Sequence, residues 1–195
     1  MTRTDGGVTL LRAADRQAVP WKNGGGVTRE IAAWPEGAGM DGFAWRVSLA
    51  EVAADGPFSS FPGVDRILTL AEGAGMSLTT AGAVRPVAER YAPEHFAGDV
   101  PTHGRLLDGP VVNFNVMHRR GLAPVDTAVV RGALRVAAAP HAVLLIVPLA
   151  GPAQLALPDG RTVPLARHDA ALLRTPAAGV LHAPTPTAVV HLPTP

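Results

Sequence analysis

The chain has 195 residues, 47% of them hydrophobic, with 17 basic residues against 16 acidic ones and a formal net charge of +1. That length suffices for one large domain or two compact β-barrels with a sizeable core, and the balanced charge offers no basic stripe for a nucleic-acid backbone. Cysteine is absent, which excludes disulfides, thiolate catalysis and sulfur-ligated zinc; no signal peptide or membrane span is legible, so a cytoplasmic location is expected.

Strand signals dominate. Short apolar alternations are punctuated by Gly, Pro and Asp-Gly turns every 8 to 12 residues or so, the spacing of a sandwich or barrel. In chain order the predicted strands are Val8 to Arg12, Val27 to Trp34, Phe43 to Val52, Arg66 to Glu72, Met76 to Thr80, Val84 to Ala88 and Val111 to Met117. The pattern pauses at Arg119 to Pro124. A second series follows at Val125 to Arg131, Leu134 to Ala137, Ala142 to Leu149, Gln154 to Leu157, Thr162 to Leu165, Ala170 to Arg174 and Ala188 to Leu192. The chain reads as all-β with two lobes, residues 1–120 carrying the motifs and 121–195 forming a smaller lobe. Asp159-Gly160 supplies a tight hairpin turn in the second.

Three stretches carry chemistry. In the first, Trp21 precedes Lys22, Asn23, Gly24, Gly25 and Gly26. Sixteen of the 17 basic residues are arginine, so Lys22 is the lone lysine, and the chain's asparagines are Asn23, Asn113 and Asn115. A cation, an amide and glycines that admit close approach suit a carboxylate or polar small molecule; a tight turn at a barrel rim is the competing reading. The spacing is not that of a phosphate loop. Arg29 and Glu30 follow on the emerging strand, and Arg46 and Ser48 project from the next, opposite to Trp45 and Val47. Pairing of these strands gives either an anion clamp or an internal ion pair. An inward arginine needs a carboxylate from ligand or protein, and Glu30, Asp65 and Asp108 are the protein's candidates.

The second stretch, Gly56 to Arg66, is a proline-bracketed loop with Phe61, Asp65 and Arg66; it either folds over a barrel mouth or forms a rigid corner held by Asp65 with Arg66 or Arg46. In the third, Asn113 and Asn115 share a strand face with Val111 and Met117. Buried amides are costly unpaired, so they line a polar pocket or cap neighbouring backbone. The seven histidines show no metal-ligand spacing, and His95 with Glu94 and Asp99 reads as a surface loop. Neither metal nor cofactor is expected, and no catalytic residue is assigned.

PWKNGGGVTREIA, WRVSLAEVAADGPFSSFPGVDRILTLAEG and HFAGD with LLDGPVVNFNVMHRR, in that order over about the first 120 residues, resemble the HutD/Ves family of bacterial proteins. The resemblance implies a cupin-like (RmlC-like jelly-roll) fold with two barrel lobes, a bicupin. It also implies an association with histidine utilisation, in limiting or sensing intermediates such as urocanate or formylglutamate. The His-x-His metal motif usual in cupins is missing, so metal chemistry is not carried over.

The expected function is binding or sensing of a small, anionic carboxylate metabolite. Lys22 and either Arg29 or Arg46 would meet the anion, Asn23, Asn113 and Asn115 the polar remainder, and Trp21, Trp45, Phe61 and Met117 would supply apolar walls. The alternatives are a metal-free isomerase or hydrolase with Lys22 as base and Glu30 or Asp65 as acid, and a structural or interaction protein. No nucleic-acid or membrane partner is expected, and a homodimer is left open.

Overall fold

The computed structural model describes residues 3–194, with side chains from Gly6 onward. The chain divides into two compact units, Met1–Arg16 with Ala123–Pro195, and Gln17–Leu122. The strands are β1 (Arg3–Asp5) and β2 (Val8–Leu11); then, in the second unit, β3 (Val19–Pro20), β4 (Gly26–Trp34), β5 (Trp45–Val52), β6 (Gly56–Pro57), β7 (Val64–Glu72), β8 (Met76–Thr80), β9 (Ala83–Val87), β10 (Pro93–Ala97), β11 (Thr102–Leu106) and β12 (Val111–Arg119). The first unit resumes with β13 (Asp126–Ala137), β14 (Ala142–Pro148), β15 (Ala153–Ala156), β16 (Thr162–Leu165), β17 (Ala170–Arg174) and β18 (Ala178–Pro193).

A lobe spanning residues 1–120 needs correcting at its start, because β2 pairs antiparallel with β17 and so belongs with the C-terminal strands. The cause is a buried carboxylate. Asp169 accepts from Arg12 Nη1 at 2.6 Å, from the Ala13 N–H at 2.8 Å and from the Ala166 N–H at 3.1 Å. Arg16 Nη1 adds a bond to the His168 carbonyl at 2.5 Å. These contacts fasten the segment after β2 to the loop before β17. The core of this unit is aliphatic, with Leu144, Ile146, Leu155, Leu165, Leu173 and Leu181 at its centre.

In the other unit a six-stranded sheet, ordered β10-β7-β12-β5-β4-β3, faces a four-stranded one, β6-β11-β8-β9. The apolar cluster between them joins Val52, Leu68, Leu70 and Val111 of the larger sheet to Met76, Leu78 and Val87 of the smaller. Residues two apart on a strand share a face, so this cluster fixes which positions point inward. They are the even residues of β7, the odd residues of β12 and the even residues of β5.

Candidate functional site

Cross-strand register arranges the inward face of the six-stranded sheet in rungs. One rung is Ala33, Arg46, Met117, Arg66 and Phe96; the next is Glu30, Ser48, Asn115, Leu68 and Glu94; a third is Thr28, Ala50, Asn113 and Leu70. Polar residues therefore gather on a face that is otherwise apolar. A bulge between Glu30 and Ala32 keeps both Glu30 and Ala33 in line with inward residues of β5.

Arg66 is the centre of this group. It is 8% exposed, and its guanidinium lies over three rings: Phe58 at 5.0 Å, Phe96 at 5.1 Å and Phe61 at 5.8 Å. Among the described residues no carboxylate pairs with it. Its polar contact is Nη2 with Asn115 Oδ1 at 3.5 Å, and its Nε is buried without a partner. Burial alone pushes the guanidinium down to about 10, so it stays charged at neutral pH. A buried cation without an anion is expensive; the aromatic faces offset part of that cost but leave its Nε–H donor unused.

Around it stand the remaining inward groups. Arg46 Nε donates to Glu30 Oε2 at 2.6 Å, an ion pair in which Arg46 is largely buried and Glu30 is exposed. Ser48 and Asn113 are each 1% exposed, and Asn113 Oδ1 has no partner. Trp21 packs on the apolar cluster and donates from Nε1 to Thr28 Oγ1 at 2.8 Å. Met117 packs with Phe43, Val64 and Phe61 at one end.

Other residues read from the sequence as pocket members lie elsewhere. Lys22 is exposed on a turn closed by the Gly24 N–H to the Trp21 carbonyl at 3.0 Å, and Asn23 Oδ1 accepts from the Gly25 N–H at 3.1 Å. The glycine run is thus the rim-turn alternative: Gly24 sits at φ +70°, and a Cβ on Gly26 would come within 2.4 Å of the Glu51 carbonyl. Arg29 pairs with Glu51 at an exposed site. Trp45 points to the face opposite Arg46, buried at 1% exposure. Asp65 pairs with Arg120 at 2.8 Å, which also binds Asp99 at 2.7 Å, rather than with Arg66 or Arg46. His95, read as a loop residue, lies on β10.

Phe58 and Phe96 complete the cage, and the site read from the sequence includes neither of them nor Met76, which faces Asn113. The signal was present in the pair of phenylalanines three apart in the loop and in the Phe of HFAGD. What the sequence could not supply was the pairing that sets Phe96 opposite Arg66.

A groove of about 750 Å³ lies in the other unit, bordered by Pro152, Gln154, Pro164 and His182. Its one cation, Arg12, is already paired to Asp169, and none of its lining residues holds a buried unpaired polar atom. Arg66, by contrast, keeps a buried Nε without a hydrogen-bond partner among the described residues. Nor does the cupin metal fit: the inward rungs present arginine, asparagine, serine and methionine where imidazoles are required. Among the described residues no group of three or more His, Asp or Glu side chains could hold a metal, and no helix is long and apolar enough to cross a membrane.

Comparison with known proteins places this geometry. The HutD family model matches residues 13–190. An uncharacterised 21.2 kDa protein in the hutC 3' region of Pseudomonas putida is 40% identical over 109 residues, 56% of this chain and 57% of that one. Protein Ves of Cronobacter sakazakii is 42% identical over 101 residues, 51% of this chain and 54% of that one. The chain thus spans about half the length of these curated relatives. Among solved structures, a conserved protein of unknown function from Pseudomonas aeruginosa PAO1 superposes with TM-score 0.82 at 33% identity, covering 95% of this chain and 97% of that one. HutD from Pseudomonas fluorescens SBW25, determined in a formate condition, superposes with TM-score 0.83 at 30% identity, covering 96% and 99%. The pirin YhhW of Escherichia coli, at 12% identity and TM-score 0.65 over 96% of this chain and all (100%) of that one, shares the bicupin fold alone. The chain belongs to the HutD family.

Proposed function

We propose that this protein is a binding or sensing protein for a small carboxylate metabolite, and that Arg66 receives the carboxylate. The observation that carries the reading is a buried, charged guanidinium with a free Nε and no carboxylate partner among the described residues. Placed against an anion, a guanidinium offers a planar fork that makes two parallel charge-assisted bonds. The walls are Phe58, Phe61, Phe96 and Met117, and Ser48, Asn113 and Asn115 supply polar contacts. Lys22 and Arg29, expected from the sequence to meet the anion, give way to Arg66.

The reading includes no catalytic step. A Lys22 base loses its support because the residue is exposed, and Glu30 is held by Arg46. Family membership directs the search for the ligand to the small acids of histidine breakdown, where urocanate and formylglutamate come first. The test is thermal denaturation with a panel of such acids. A carboxylate should raise the midpoint of the wild-type protein and leave that of Arg66→Met unchanged; a panel with no effect on the wild type would sink the reading.

A further inference from the structure

Among the described residues, two polar atoms on the inward face of the Gln17–Leu122 unit are buried without a hydrogen-bond partner: Nε of Arg66, a donor, and Oδ1 of Asn113, an acceptor. The second is not used by the carboxylate. Asn113 Nδ2 faces Met76 Sδ at 4.0 Å. A thioether accepts but cannot donate, so the amide is held with its nitrogen towards sulfur and its oxygen turned away.

The spacing of the two atoms follows from the strand. Arg66 Nη2 reaches Asn115 Oδ1, and Asn113 is the next inward residue on β12, a step of about 6.6 Å. Ala50 and Leu70 flank Asn113 on the neighbouring strands. The acceptor is therefore flanked by apolar residues on both neighbouring strands, one strand step beyond the residue that Arg66 Nη2 reaches.

Resting on the carboxylate reading of Arg66, we propose that Asn113 is a specificity-determining residue that accepts a hydrogen bond from an N–H at the far end of the ligand. The class selected is a small acid that carries an amide or ring N–H about one strand step, roughly 6–7 Å, from its carboxylate. A second carboxylate at that point sets oxygen against oxygen, and an alkyl end leaves Oδ1 unpaired. Sites built to hydrogen-bond a substrate group discriminate strongly against analogues lacking it, because the buried partner is then stranded. Arg66 supplies charge recognition, and Asn113 supplies the choice among acids.

The test is titration calorimetry of the full chain with 4-acetamidobutanoate, its N-methyl analogue, adipate and acetate. The wild type should bind 4-acetamidobutanoate at least about ten-fold more tightly than the N-methyl analogue and adipate. In Asn113→Leu that preference should shrink to about two-fold or less, while acetate binding persists. The wild-type comparison needs no variant, so a poorly folded Asn113→Leu does not shelter the proposal. Equal affinity of the wild type for all the acids would overturn the role of Asn113 and leave the carboxylate reading standing. Failure of every acid, acetate included, would overturn both.

Discussion

Replacing Arg66 with methionine should stabilise the unliganded protein. Burial lowers the guanidinium from its ordinary value to about 10, and each pH unit of such a fall corresponds to about 1.4 kcal/mol. The charged form is thus held in the fold at a cost of about 3 kcal/mol, present at every pH below about 10 and relieved only as the pH rises from there towards the ordinary guanidinium pKa. The phenylalanine faces together return about 1–2 kcal/mol of this, and methionine keeps much of the packing against them. The net gain should be about 1–2 kcal/mol, or roughly 2–8 °C in midpoint for a chain of this size. Scanning calorimetry on wild type and Arg66→Met measures it directly. A midpoint several degrees lower in Arg66→Met would refute the reasoning, because it would make Arg66 a pillar of the aromatic cage rather than an anion receptor maintained at the expense of stability.

Other substitutions separate the site from its scaffold. Lys22→Ala should leave both midpoint and carboxylate-induced stabilisation unchanged in thermal denaturation, since Lys22 is exposed on the turn; loss of the ligand effect would return the glycine-rich turn to the site. Gly26→Ala places a methyl 2.4 Å from the Glu51 carbonyl and 3.1 Å from the Trp21 ring, and should cost about 1–3 kcal/mol in urea denaturation; a neutral result would contradict the close approach of β4 to β5. Asp169→Asn should cost about 2–3 kcal/mol, because charge-assisted bonds to the segment after β2 are weakened. Burial raises the Asp169 carboxyl, but bonds from the Ala13 N–H, Arg12 and the Ala166 N–H outweigh it and hold the group below the usual range. Its contribution is therefore complete above the ordinary carboxylate pKa and lost as pH falls through the lower folded value. Wild type and Asp169→Asn should accordingly converge in stability at acid pH, and a constant difference would contradict this assignment.

The strand content was legible wherever alternation was clean. β5, β7, β8 and β12 lie within two residues of their expected bounds, and the shared face of Asn113, Asn115 and Met117 follows from period two alone. The failures have physical causes. β11 was missed because it contains Gly104, which is required there since a Cβ would meet the Phe58 ring at 2.8 Å. The first half of β18 was missed because Pro184 and Pro186 read as breaks; they lie within an irregularity in its pairing with β13, where the missing N–H groups matter least. The site was harder. Its side chains come from strands far apart in the sequence, so whether an arginine meets a carboxylate depends on register. Register sent Arg46 to Glu30 and Asp65 to Arg120, and left Arg66 without a carboxylate among the described residues. The rarity of lysine drew attention to Lys22, but composition does not encode exposure.

The most direct measurement of the central claim is to follow the arginine Nε–H resonances by ¹⁵N-resolved NMR during titration with acetate. Arg66 Nε lacks a partner in the unliganded protein, whereas Arg46 Nε is bonded to Glu30. The Arg66 resonance should shift and become protected from solvent exchange as the carboxylate binds, while the Arg46 resonance holds its position. A titration in which the Arg66 signal stays fixed, or in which the Arg46 signal alone moves, would contradict the assignment of Arg66 as the anion receptor.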